Sequence, residues 1–186
     1  MSKAVFFDRD GVINKDYGYV GDIASFDFVE GIKESLAKLR SLGYILILVT
    51  NQSGIARGRY SEADFMKVTA FMQQVLAIHN AQFDGIYYCP HHPTGQIEKY
   101  RCDCDCRKPK EGMFKKAQLA FGIDAEESIC IGDRARDLQG AAKIGVKKLI
   151  LVGTNAENEQ KQFKNAEIFN SVKDFVDNLS EHQNGR

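Results

Sequence analysis

"AVFFDRDG", residues 4–11, starts as four apolar residues and turns polar at Asp8. A short apolar run that stops abruptly at charge reads as a buried strand delivering polar groups at its carboxyl end. The pattern returns further along the chain. Tyr44–Val49 (YILILV) is continuously apolar and ends in Thr50-Asn51-Gln52-Ser53-Gly54, and Ser128–Ile131 (SICI) ends in Gly132-Asp133. Gly85–Cys89 and Lys148–Val152 (KLILV) read as further strands. Helical stretches separate them. Val29–Leu42 carries Ile32, Leu36, Leu39 and Leu42 at helical spacing, with Gly43 as a stop. A second helix runs from the N-cap Ser61, with Asp64 in its first turn, to about His79. Gly112–Phe121, closed by Gly122, Asp137–Lys143 and Ser171–Leu179 complete the set.

Strands alternating with helices predict an α/β fold, a doubly wound parallel sheet covered on both faces. The 186 residues contain no repeat and no linker. A single domain over residues 1–186 is therefore expected, with a polar tail at about 180–186. In such sheets ligands bind beyond the carboxyl ends of the strands. Asp8/Asp10, Thr50/Asn51 and Asp133 should therefore converge.

Charge narrows the function. Lys plus Arg (25) equals Asp plus Glu (25), which gives no general attraction to nucleic acid or a membrane surface. No apolar run reaches the ~18–20 residues of a membrane helix. The start, MSKAVFFDRDG, lacks the apolar region of a signal peptide. A cytoplasmic monomer acting on a small molecule is the expectation.

The strand ends supply the chemistry. Asp8 and Asp10 stand at i and i+2, so an extended segment points both carboxylates to one site. A divalent cation between them would keep Asp8 ionised as a nucleophile, while Asp10 protonates a leaving alkoxide and later activates water. Thr50 and the N–H groups after it can cradle phosphoryl oxygens. Lys108, ahead of Pro109, can neutralise an anion and hold a carboxylate. Asp133 can complete an oxygen-rich shell suited to Mg²⁺, although a Gly-Asp-Arg turn with Asp137 four residues on also reads as an acidic helix start.

In this order and at strand ends, the four motifs resemble the haloacid dehalogenase (HAD) superfamily of Asp-nucleophile phosphotransferases, over roughly residues 3–155. The resemblance implies a capless Rossmann-like fold with Asp8 phosphorylated, Asp10 as acid/base, and Thr50 and Lys108 stabilising the phosphoryl group. It implies Mg²⁺ on Asp8, the Asp10 carbonyl and Asp133.

"YYCPHHPTGQIEKYRCDCDCRKP", residues 87–109, holds four of the five cysteines and two of the four histidines. At this density they read as ligands of a structural zinc: Cys89-x-His91 supplies one pair and a Cys-x-Cys the other, from Cys102, Cys104 and Cys106. Zinc can hold such a loop, here residues 89–108, in place of secondary structure. Cys130 reads as a small buried apolar residue.

This stretch, with "FFDRDGVIN", "DYGYV", "VTNQSGIARG" and "IYYCPHHP", resembles the zinc-containing bacterial D-glycero-D-manno-heptose 1,7-bisphosphate phosphatases over nearly the whole chain. That resemblance selects Cys89, His91, Cys104 and Cys106 as ligands and leaves over Cys102 and His92. It also implies substrate contacts from Asp16, Tyr17, Gly18, Tyr19, Asn51, Gln52, Ser53, Arg107 and Arg134. A solvated role weighs more for Arg57 and Arg59 than for Arg107. The activity implied is Mg²⁺-dependent removal of the C7 phosphate through an aspartyl-phosphate. The alternatives are a histidinol-phosphate phosphatase and a zinc-braced binding module without catalysis.

Overall fold

The computed structural model describes residues 1–184. In chain order its elements are β1 (Ala4–Phe7), α1 (Ile32–Ser41), β2 (Ile45–Asn51), α2 (Ser53–Ala56), α3 (Glu62–Ile78) and β3 (Gly85–Cys89). A 3₁₀ turn (Glu98–Tyr100) follows, then α4 (Gly112–Phe121), β4 (Ile129–Gly132), α5 (Ala135–Lys143), β5 (Lys148–Val152), α6 (Ala156–Gln160), β6 (Glu167–Phe169) and α7 (Val172–Asn184). The strands form one six-stranded sheet in the order β3-β2-β1-β4-β5-β6, with every pair parallel. The order reverses at β1, so the crevice opens where β1 and β4 end side by side. There the Asp8 N–H donates to the Ile131 carbonyl at 3.1 Å, which extends the β1–β4 ladder by one step.

Alternation along the strands builds two cores. Val5, Phe7, Leu46, Leu48, Ile129 and Ile131 pack with Leu36, Leu39, Met72, Leu76, Phe175 and Val176 of α1, α3 and α7. Ala4, Phe6, Ile47, Val49 and Cys130 pack on the other face with Phe114, Ala117, Leu138 and Ala141 of α4 and α5. Each such buried large apolar side chain contributes about 1.5–3 kcal/mol, so both faces are closed and function is confined to the strand ends. No separate domain covers the crevice among the described residues. The segments 8–31 and 90–111 flank it instead. Among the described residues, no helix is long and apolar enough to cross a membrane.

Differences from the sequence reading have local causes. α5 begins two residues before Asp137, because the Asp137 carboxylate accepts the Arg134 N–H at 3.0 Å and caps the helix from within its first turn. α2, α6 and β6 escape periodicity. α2 is a single turn, β6 is a three-residue edge strand, and α6 (AENEQ) is almost wholly polar. α6 is tied down by Glu159, which accepts from the Ala135 N–H at 2.9 Å. The closing helix continues to Asn184, through most of the segment expected as a tail. Residues 185–186 of that tail lie outside the described residues.

Candidate active site

Lys108 is buried, and its three ammonium protons are all engaged. Nζ donates to Asp8 Oδ1 at 2.7 Å and to the Val49 carbonyl at 2.8 Å, and it pairs with Asp137 Oδ1 at 2.8 Å. The two carboxylates arrive from β1 and α5, on either side of the switch point. Asp133, leaving β4, joins them. Ligand atoms of Asp8, Asp133 and Asp137 lie within 4.8 Å of one another. Burial pushes the Asp8 carboxyl up to about 6; Lys108 opposes this, while Asp137 and Asp10 add to it. Burial, then the like charges of Asp8 and Asp137, push Asp133 up to about 8. One lysine is thus short of what three crowded carboxylates need. An all-oxygen set of this kind fits a hard divalent cation such as Mg²⁺. Only glycine fits beside it at residue 11, where φ is +85° and a Cβ would meet Asp133 Oδ2 at 2.6 Å.

Asp10 is held by donors on several sides. Arg9 Nη2 and Asn14 Nδ2 donate to Oδ1 at 2.9 and 3.0 Å, and Gln52 Nε2 donates to Oδ2 at 3.1 Å. The same Gln52 amide donates to Thr50 Oγ1 at 2.9 Å, and its Oε1 accepts from the Tyr60 hydroxyl at 2.6 Å. Gln52 is buried. Rather than facing a ligand, it links Asp10 to Thr50, which is also buried beneath the cleft.

The second cluster is made of sulfur and nitrogen. Cys89 Sγ lies 3.5 Å from Cys104 Sγ and 3.2 Å from Cys106 Sγ. Cys104 and Cys106 are 3.2 Å apart, and His91 Nδ1 is 3.3 Å from Cys106 Sγ and 3.8 Å from Cys89 Sγ. Tetrahedral zinc, with bonds of about 2.0–2.3 Å, puts its ligand atoms about 3.5–3.8 Å apart. The donor set and spacing fit that ion with modest relaxation. Of the two Cys-x-Cys pairs open from spacing, Cys104/Cys106 faces Cys89, while Cys102 is exposed outside the group.

A cleft of about 360 Å³ opens above the carboxylates. Asp8, Asp10, Asp16, Gly18, Tyr19, Asn51, Ser53, Arg107, Asp133 and Arg134 line it. Gly18 and Tyr19 both take positive φ, 75° and 59°, where the loop turns along the cleft. Tyr17 does not line it; its hydroxyl donates to Asp27 Oδ2 at 2.7 Å. Six residues outside the sequence-derived site also line the cleft: Gly54, Arg57, Tyr60, His92, Arg136 and Asp137. Arg57 follows Ser53 at i+4, a helical spacing that could have placed both on one side, had α2 been legible. Arg59 instead lies outside the cleft, its guanidinium 5.6 Å from the Tyr19 ring centre. Burial holds Arg107 below its ordinary value, the sulfurs of Cys89 and Cys104 oppose this, and the like charges of Arg136 and Arg57 deepen it.

A lysine shared by carboxylates from both sides of the switch point, on a sheet of this order, defines a HAD-like hydrolase. The HAD-hydrolase-like family model matches residues 105–179. A D-glycero-beta-D-manno-heptose-1,7-bisphosphate 7-phosphatase of Photorhabdus laumondii is 49% identical over 174 residues, covering 92% of each chain. The Escherichia coli K12 protein of the same name is 42% identical over 182 residues, 97% of this chain and 95% of its own. The crystal structure of a D,D-heptose 1,7-bisphosphate phosphatase from B. bronchiseptica, complexed with magnesium and phosphate, superposes with a TM-score of 0.84 at 29% identity, covering 97% of this chain and 99% of that one. The chain belongs to the D-glycero-β-D-manno-heptose-1,7-bisphosphate 7-phosphatase family of HAD-like phosphatases.

Proposed function

We propose that this phosphatase removes the C7 phosphate of D-glycero-D-manno-heptose 1,7-bisphosphate and leaves heptose 1-phosphate. The observation that carries the reading is the polarity of the cleft. Asp8, Asp10 and Asp133 line it with Lys108 buried behind Asp8, and Arg107 and Arg134 line it as well, so a substrate with two phosphates finds cations besides the one at the reacting acids. Histidinol phosphate would bring an ammonium toward those arginines, which disfavours it.

Asp8 Oδ attacks phosphorus in line with the ester oxygen. The P–O(C7) bond breaks as the Asp8–phosphorus bond forms, and Asp10 gives its proton to the departing alkoxide. Asp10, now a carboxylate, takes a proton from water, which attacks the aspartyl-phosphate and frees Asp8 and inorganic phosphate. Lys108 and Thr50 offset charge on the phosphoryl oxygens, and Gln52 keeps Thr50 and Asp10 in register. Mg²⁺, held by Asp8, the Asp10 carbonyl and Asp133, supplies further charge stabilisation when bound. Zinc on Cys89, His91, Cys104 and Cys106 braces the loop that delivers Arg107 and Lys108. Five free cysteines are consistent with the cytoplasm, and a site completed within one chain is consistent with a monomer.

The test is kcat/KM, with Mg²⁺, on both anomers of the heptose bisphosphate and on histidinol phosphate. A preference on the order of 100-fold or more for a bisphosphate anomer is expected. Comparable values for histidinol phosphate would overturn the substrate assignment, and no Mg²⁺-dependent phosphate release would favour a binding module.

A further inference from the structure

Tyr60 stands one residue ahead of Ser61, the N-cap of α3, whose hydroxyl accepts the Asp64 N–H at 3.1 Å. The cap fixes how the chain enters the helix, and the Tyr60 ring lies back against α2. A Cβ at Gly54, in α2, would meet the ring at 2.3 Å, and so would one at Gly21, in the segment that flanks the cleft. Glycine at both positions leaves room for the ring between two backbones. So held, the hydroxyl donates to Gln52 Oε1 at 2.6 Å.

That bond agrees in direction with the two beyond it. Gln52 Oε1 can only accept and Nε2 can only donate. Nε2 faces two oxygens, Asp10 Oδ2 at 3.1 Å and Thr50 Oγ1 at 2.9 Å. The reversed amide would set Oε1 against the Asp10 carboxylate, which has no proton to give while ionised. Thr50 accepts from Gln52, so its own hydroxyl proton is free to donate, and among the described residues no protein group accepts it. A phosphoryl oxygen in the cleft is the acceptor that remains. Burial pushes the Tyr60 phenol above its ordinary value, with Arg9 opposing and Asp10 and Tyr19 adding to it, so the first donor of the series keeps its proton. Gln52 and Thr50 are both buried, where a missing donor is not replaced by bulk water.

We propose that Tyr60 is a positioning residue for phosphoryl transfer: its hydroxyl fixes the Gln52 amide, whose two N–H groups steady the Asp10 carboxylate and turn the Thr50 hydroxyl proton toward the phosphoryl group. This rests on the roles given to Asp10 and Thr50 in the phosphatase reading. It adds a residue that touches neither the reacting atoms nor the cation, and that acts on acid/base and phosphoryl donor together.

The experiment is a double-mutant cycle. Wild type, Tyr60→Phe, Gln52→Met and the double variant are assayed with Mg²⁺ on the heptose bisphosphate and on p-nitrophenyl phosphate. A thermal melt of each variant establishes that it is folded at the assay temperature. Tyr60→Phe keeps the ring in its seat and removes only the hydroxyl. Its kcat should fall about 10-fold on both substrates, with KM changed less than about twofold. The loss should be larger on the sugar phosphate, whose alkoxide also needs the Asp10 proton. In the Gln52→Met background, Tyr60→Phe should change kcat by less than about twofold, because the hydroxyl has lost the amide through which it acts. A Tyr60→Phe kcat within about twofold of wild type would overturn the proposal. Additive losses in the double variant, or a loss confined to KM, would also overturn it, since Tyr60 would then act through packing or substrate contact. Wild type that hydrolyses p-nitrophenyl phosphate but not the bisphosphate would overturn the substrate reading alone, and the same cycle on p-nitrophenyl phosphate would still decide the role of Tyr60. No Mg²⁺-dependent turnover of either substrate by wild type would overturn both.

Discussion

Asn51 and Lys108 exchange two hydrogen bonds across 57 residues of chain: the Lys108 N–H donates to Asn51 Oδ1 at 3.0 Å, and Asn51 Nδ2 donates to the Lys108 carbonyl at 3.1 Å. The end of β2 therefore grips the backbone of the residue whose side chain holds Asp8. The Cys/His loop is secured twice, by the cluster at Cys106 and by Asn51 two residues later.

Asn51→Ala should release that second anchor without touching the first. Misplacing a catalytic cation by about 1 Å can cost on the order of 100-fold in rate. A fall in kcat of about 10- to 100-fold is expected, with zinc content preserved. Steady-state kinetics beside metal analysis check it, and loss of zinc in this variant would show that the two anchors are not independent.

Cys104→Ser or Cys106→Ser should lower zinc content and reduce activity indirectly, by freeing residues 89–108. Cys102→Ser should do neither, because Cys102 is exposed and outside the ligand group. Zinc loss in Cys102→Ser with retention in Cys106→Ser would place the ligand pair one step earlier in the Cys-x-Cys repeat.

Asp133→Asn tests the carboxylate cluster. Without divalent cation this variant should melt above the wild type, since it removes one of the buried like charges that raise Asp133 and Asp8. Mg²⁺ should stabilise the wild type by about 2.7 kcal/mol at 100 times its Kd, and the variant by much less. Thermal melts with and without Mg²⁺ measure both. A Mg²⁺ response undiminished in Asp133→Asn would remove that residue from the cation site.

Asp8→Asn should abolish turnover while leaving the fold intact, because an amide of nearly the same shape cannot form the acyl phosphate. Asp10→Asn should slow sugar-phosphate hydrolysis severely but p-nitrophenyl phosphate less, since nitrophenolate leaves without a proton. Equal losses on both substrates would assign Asp10 to positioning rather than proton transfer.

The apolar runs AVFF, YILILV, SICI and KLILV determined five-sixths of the sheet together with GIYYC: buried strands of a parallel fold, each ending where polarity begins. Their period and length report local backbone geometry and two-sided burial, which are properties of neighbouring residues. The acids of the site and the ligand-rich loop were legible for the same reason, since strand ends and Cys/His spacing are local. Tertiary structure alone decided which of these groups meet. Lys108 is 100 residues from Asp8, and its second acid, Asp137, reads locally as a helix-start residue. His92 finds Arg57 across 35 residues, and Gln52 turns inward to Asp10 and Thr50 instead of facing a ligand. Strand order brings these segments together, and no spacing along the chain encodes it. Contacts between distant side chains depend on how the loops dock over the sheet, which only the assembled cores on its two faces determine.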